Sequence, residues 1–167
     1  MRYFYFILIL SLFVGCAQYA SVEVGFNDGA ILAGTFGDMI VRVSKIEAFQ
    51  NAQYSSIWES GNTVSVPVNG SDFFSITGGY VSILPGAYKK FRVTIDSLRY
   101  KIDNTTVMLL DSNYQFTATA FTDIMIDSGD EYQLVIGINS SNWFDSESLK
   151  IKAGHSPFEN ATLKIFY

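Results

Sequence analysis

The sequence predicts an all-β fold, an antiparallel β-sandwich of the Ig-like or transthyretin-like kind, preceded by an N-terminal signal helix. Apolar and polar residues alternate with period 2 in many segments. Turn signals recur at roughly the 8–12 residue spacing typical of sandwiches. No segment keeps a helical period over a dozen residues. The chain has 167 residues, 49% of them hydrophobic, which fits one domain with an ample core behind a leader.

Residues 1–15 have the organisation of a signal peptide. Arg2 supplies a positive start, and residues 4–14 are apolar except for Ser11. This stretch is short for a membrane span, which needs about 20 apolar residues. The sequence ending at Gly15-Cys16 resembles the lipobox of bacterial lipoprotein precursors, although Phe13 stands where that motif usually has Leu.

The lipobox resemblance implies that Cys16 becomes the acylated N-terminus of the mature protein. Residues 16–20 would then be a short tether, and residues 21–167 the β-sandwich. Two acyl chains or more anchor a protein firmly where one is marginal. We therefore expect a membrane partner and a cell-envelope location, favouring the outer membrane in a Gram-negative cell because Ala17, not Asp, follows the cysteine. The alternatives are an ordinary secretory signal and an uncleaved anchor.

The first strands follow from alternation. Val22, Val24 and Phe26 share one face, and the Gly-rich residues 30–38 read as a loop. The long strand at residues 40–49 changes phase near Ser44, which predicts a β-bulge. Residues 55–59 form the next strand, ended by a turn at residues 61–62. The remaining strands are predicted at residues 63–68, 73–76, 80–84, 87–102, 105–110, 114–126, 132–138, 149–152 and 162–166, with a type II turn at Pro85-Gly86.

The order of these motifs resembles DUF4382, a family of exported bacterial and archaeal domains of unknown function, over residues 21–144. Three segments carry the resemblance: the strand at 41–49 followed by Trp58, the Leu84-Pro85-Gly86 strand start with its tyrosine, and a late hairpin ending at Asn139. Asn139 stands where the family tends to have Asp, and the second segment is one residue shorter. The resemblance implies a β-sandwich at the cell surface and brings no activity with it.

Composition argues against several functions. The formal net charge is −5 and basic residues are scattered, whereas nucleic-acid binding needs clustered Lys and Arg. A single cysteine forms no internal disulfide. His155 is the only histidine, too few for a zinc or copper site, and it reads as a surface residue rather than a catalytic base. We therefore expect a protein that is not an enzyme and has no cofactor.

Two segments remain as candidate binding sites. Trp143 and Phe144 lie in a polar stretch with Asn142 and Asp145, where exposed rings stack on sugars; the alternative is an aromatic plug that closes one end of the sandwich. Asp123, Asp127 and Asp130 crowd one hairpin without EF-hand spacing, so a solvated turn is favoured over a calcium site.

The sequence thus predicts a lipid-anchored envelope protein with a non-enzymatic binding or structural role, whose partner is an envelope protein or a glycan. The alternative function is a carbohydrate-binding module of a surface glycan system. Both hypotheses leave the ligand itself open.

Overall fold

The computed structural model describes residues 18–29, 34 and 36–166. About two thirds of this part of the chain is β-strand (64%), and its one helix is a 3-10 helix at Ser140–Asn142. The strands are β1 (Ala20–Asn27), β2 (Asp38–Gln50), β3 (Gln53–Pro67), β4 (Phe74–Ser75), β5 (Val81–Ile83), β6 (Gly86–Ile102), β7 (Thr105–Leu110), β8 (Tyr114–Ile126), β9 (Glu131–Gly137), β10 (Phe144–Asp145), β11 (Lys150–Ile151) and β12 (Thr162–Ile165).

Ten of the strands belong to one sheet, in the order β3-β2-β6-β8-β12-β9-β1-β4, with β5 paired to β1 and β7 to β6. The sheet curves until it nearly closes on itself. The amide of Asn62 in β3 reaches across the remaining seam and donates to the carbonyl oxygen of Ile76, just after β4 (2.7 Å). The predicted all-β fold is therefore confirmed.

Two pairings are parallel, β1 with β9 and β8 with β12, while the others are antiparallel. The members of each parallel pair are distant in sequence, so no tight hairpin forces them to run in opposite directions. β1 lies between β9 and the edge strands β4 and β5, and Val22, Val24 and Phe26 are fully buried, as their alternation predicts.

The β2–β3 ribbon confirms one prediction and overturns another. The register shifts between Val43 and Lys45, so the irregularity predicted near Ser44 exists. The turn predicted at residues 61–62 is wrong, because β3 continues through them. Two residues of β3, at positions 60 and 61, face the single residue Ser44, and Asn62 pairs with Val43. Ser60 and Gly61 therefore form a β-bulge, which bends a strand without ending it.

The link from β5 to β6 also differs from its prediction. Pro85 forms a bend rather than a type II turn, and Gly86 (φ 142°) already belongs to β6. Side chains satisfy the carbonyl oxygens of the bend: Tyr88 Oη donates to Leu84 (2.6 Å) and Gln50 Nε2 donates to Pro85 (3.0 Å). The Pro-Gly-x-Tyr motif thus moves the chain from one sheet edge to the sheet centre.

The strands run between two ends of the domain, a proximal end and a distal end. The proximal end, where the described chain begins, holds the start of β1, the β2–β3 turn, the Pro85 bend and the β8–β9 turn. There Ser128 Oγ donates to the carbonyl oxygen of Gln18 (3.0 Å), and the Gly129 amide to that of Tyr19 (3.3 Å). The distal end holds the end of β1, the β6–β7 turn and the 3-10 helix.

The predicted signal helix, and Cys16 with it, lie outside the described residues. Within the residues described, no helix is both long enough and apolar enough to cross a membrane.

Candidate functional site

Trp143 and Phe144 close the distal end of the core. Both side chains are fully buried. The indole Nε1 of Trp143 donates to the carbonyl oxygen of Ile138 (2.9 Å), and its ring lies 5.3 Å from that of Phe158. Phe144 packs 4.7 Å from the ring of Tyr100.

A ring without exposed surface has no face for a sugar to stack on. The proposed ligand contact at Trp143 and Phe144 is therefore replaced by the alternative, an aromatic plug. The polar residues around the pair suggested exposed rings. The 3-10 helix and β10 instead turn the two rings inward, while their polar neighbours stay at the surface.

The two polar residues predicted beside this pair serve local structure. Asn142 Nδ2 donates to the carbonyl oxygen of Glu159 (3.4 Å). Asp145 accepts from Ser148 Oγ (2.6 Å) and from the amide of Glu147 (3.0 Å). The Ser148 hydroxyl, followed by the Glu147 amide, lowers the pKa of Asp145.

The other candidates stay apart from one another. His155 lies in the loop before β12, where Nδ1 is 2.6 Å from Glu159 Oε2. In the acidic hairpin, Asp130 accepts from Tyr132 Oη (3.3 Å). Among the residues that the structure describes, no three His, Cys, Asp or Glu side chains come together as metal ligands would.

A cleft opens where the sheet splits between β8 and β12. The two strands pair at Thr119 and Thr162, and beyond that point they separate. β8 also leaves β6 here, because the single residue Lys89 faces four residues of β8, at positions 120–123. This wide bulge turns Phe121 outward and leaves its side chain fully exposed.

The cleft has a volume of about 930 Å³. Phe121 and Met125 stand on its β8 side, with Lys164 and Phe166 on the opposite side. Asp123 and Ser71 add polar groups to the walls. An exposed aromatic ring among mixed hydrogen-bonding groups is the lining expected of a site for a polar ligand with an apolar face.

Asn27, the last residue of β1, lines the distal end of this cleft and is buried. Its Nδ2 donates to the carbonyl oxygen of Ser71 (3.2 Å), while Oδ1 has no hydrogen-bond donor among the described residues. Buried acceptors are satisfied by protein or by ordered water. We therefore expect an ordered water, or a hydroxyl that replaces it, beside this oxygen.

Sequence reasoning missed Phe121, although a signal was present. The in-phase residues Phe116, Ala118 and Ala120 put the core face of β8 at even positions, and all three are buried. A phenylalanine at the next odd position therefore has to point outward. The bulge that isolates Phe121 from both neighbouring strands has no comparable signature in the sequence.

A charged cluster on the outer face of β2 and β6 is structural. Arg92 donates to both carboxylate oxygens of Glu47, through Nε (2.7 Å) and Nη2 (2.9 Å). Its guanidinium lies 4.1 Å from the ring centre of Tyr54. The Arg92 hydrogen bonds are the largest influence on the Glu47 carboxyl and lower its pKa, against the opposing effect of burial.

Comparison with known proteins brings no relative: no family model, no curated protein and no solved structure matches the chain. The resemblance to DUF4382 stays a prediction.

Proposed function

We propose that this protein is a lipid-anchored cell-envelope domain that binds a partner without catalysing a reaction. The β8–β12 cleft carries the binding part of the proposal. It joins an exposed ring to polar walls at a break in an otherwise continuous sheet. The lipobox-like Gly15-Cys16 carries the anchoring part.

The anchor is tested with Cys16→Ser in a bacterial host that processes lipoproteins. We expect the unchanged chain to incorporate labelled palmitate and to sediment with membranes. The variant should incorporate none and accumulate as the unprocessed precursor, because the lipid is attached to the thiol before cleavage. Normal maturation of Cys16→Ser, with unchanged membrane partitioning, would contradict the anchor.

A second candidate is narrower: the cleft binds a carbohydrate. Phe121 offers a whole ring face, and apolar faces of pyranose rings stack on such rings while their hydroxyls bond to polar neighbours. Lys164, Asp123 and Ser71 provide donors and acceptors around it. This candidate keeps the carbohydrate hypothesis and moves it from Trp143 to Phe121.

A glycan array followed by titration of the best binder tests this candidate. Phe121→Ala should abolish binding and leave the unfolding midpoint unchanged, because the fully exposed ring packs on nothing. Met108→Ala, on the exposed side of β7 and away from the cleft, is the control and should bind normally. The candidate is wrong if no polysaccharide binds, or if Phe121→Ala binds as well as the unchanged protein.

A further inference from the structure

We propose that the proximal end of the domain rests on the membrane, so that protein side chains contact lipid beside the anchor. This inference depends on the lipid anchor proposed above and assigns it a protein surface. The occupant is the leaflet that holds the acyl chains of Cys16.

Only a short stretch of chain separates Cys16 from the proximal end. Gln18, the first described residue, follows Cys16 by only two residues. At about 3.3–3.6 Å a residue, this segment spans at most about 7 Å. Gln18 and Tyr19 are in turn bonded to the β8–β9 turn. An acylated Cys16 therefore holds the proximal end within a few ångströms of the headgroups.

The proximal end exposes several large apolar or amphipathic side chains. Tyr19 and Met125 are more than half exposed, and Leu84 is 47% exposed. The strand pairings bring the three close together. Tyr19 precedes Ala20, which pairs with Ile83, the residue before Leu84. Met125 pairs with Ala87, three residues after Leu84. Exposed Tyr, Leu and Met side chains beside the anchored segment suit the interfacial layer of a membrane. There a tyrosine places its ring among apolar groups and its hydroxyl in water.

A groove at the same end adds apolar surface that the protein leaves uncovered. Its apolar lining comes from Tyr19, Ile57, Leu84 and the buried Ile83, and its volume is about 220 Å³. Polar side chains, among them Gln50, Ser55 and Ser82, line the rest of it. The groove lies between β3 and β5, two strands that do not pair. Methylene groups of a lipid chain fit such a surface better than water does.

The charges at the proximal end indicate which lipid headgroups it can contact. The β8–β9 turn carries Asp127 and Asp130, and β9 begins with Glu131, all three exposed; Lys89 and Lys90 are the nearby cations in β6. This balance gives no attraction to anionic headgroups. We therefore expect the contact in zwitterionic membranes and expect it to persist in high salt.

The experiment compares two labelled positions with almost the same exposure. Leu84→Cys lies at the proximal end, and Met108→Cys, where the native side chain is 45% exposed, lies in β7. Met108 is far from the proximal end, because it pairs with Arg99, and Arg99 lies about 40 Å along β6 from Gly86. Each variant of the full, lipidated chain is labelled with an environment-sensitive, thiol-reactive fluorophore. The thioether at Cys16 does not react with it.

The proteins are then reconstituted in phosphatidylcholine vesicles that carry a headgroup-level quencher. The Leu84→Cys label should shift to the blue and be quenched several-fold more than the Met108→Cys label, because interfacial residues lie about 5–10 Å into the headgroup boundary. Adding Tyr19→Ser and Met125→Ser to Leu84→Cys should reduce both effects. The denaturation midpoint of the triple variant shows that it is folded.

The outcomes separate the two proposals. If the protein floats with the vesicles and both labels respond alike, the membrane contact is overturned and the anchor stands. If Cys16 itself takes up the fluorophore and the protein does not float, the anchor is overturned and the contact falls with it.

Discussion

Replacing Trp143 tests whether this residue holds the core together or binds a ligand. Its side chain is fully buried against Phe144 and Phe158, and its indole bonds to the carbonyl oxygen of Ile138. Truncating a buried Trp to Ala costs about 3–5 kcal/mol. Trp143→Phe keeps most of the apolar volume and leaves the Ile138 oxygen unsatisfied, which costs about 1–3 kcal/mol.

These losses are large against the roughly 5–15 kcal/mol that stabilises a domain. A domain of this size loses about 2–4 °C of melting temperature per kcal/mol, so Trp143→Ala should melt about 6–20 °C below the unchanged protein. Urea unfolding followed by far-ultraviolet circular dichroism gives the free energies by linear extrapolation. Trp58→Ala is the matched control, since Trp58 is only partly buried and should cost less.

The unchanged protein should therefore have the largest free energy of unfolding and Trp143→Ala the smallest. Trp58→Ala and Trp143→Phe should lie between them. A Trp143→Ala protein with an unchanged unfolding midpoint would refute the plug. If that protein had also lost a glycan ligand, the original stacking hypothesis at Trp143 would be restored.

Two further predictions concern buried or paired carboxylates. The pKa of Glu47 is lowered in the fold, so its contribution to stability is complete above its unfolded value of about 4.3 and is lost as pH falls through the folded pKa. Glu47→Gln should therefore unfold more easily at pH 7, and in urea titrations the difference should shrink as the pH falls below the unfolded value and through the lowered folded pKa. Asp28, fully buried, accepts from the Ser140 amide (2.8 Å) and the Ser140 hydroxyl (2.6 Å). Asp28→Ala should cost about 2–4 kcal/mol and Ser140→Ala about 1 kcal/mol in thermal unfolding, and equal midpoints for Asp28→Ala and the unchanged protein would contradict this.

The strands could be predicted because half-buried strands leave a local signature. Val22, Val24 and Phe26 alternate with polar residues, and each lies on the core face. Long strands such as β6, whose buried side chains include Phe91 and Val93, follow for the same reason. An alternation with period 2 arises within one chain segment that buries one face, so the sequence of that segment is enough to predict the strand.

Pairing partners and exceptions depend on distant residues and could not be predicted in this way. The parallel contact of β1 with β9 joins Ser21 to Glu131, which the local pattern of neither strand specifies. Gly61 has the chemistry of a turn, yet the continuous ladder between β2 and β3 absorbs it as a bulge. Trp143 has polar neighbours, yet Phe26, Phe116 and Phe158 create the aromatic space at the distal end that its ring helps to fill.

The bulge in β8 links the two proposed surfaces. At Phe121 the strand leaves both neighbours and opens the cleft, and three residues later it rejoins β6 at Ile124. Met125, the next residue, then lies at the proximal end and also lines the cleft. With that end on the membrane, the cleft begins near the headgroups and extends outward to Asn27. A ligand would therefore approach from the side, parallel to the membrane, and Met125→Ser should change lipid contact and cleft binding together while Phe121→Ala changes only the cleft.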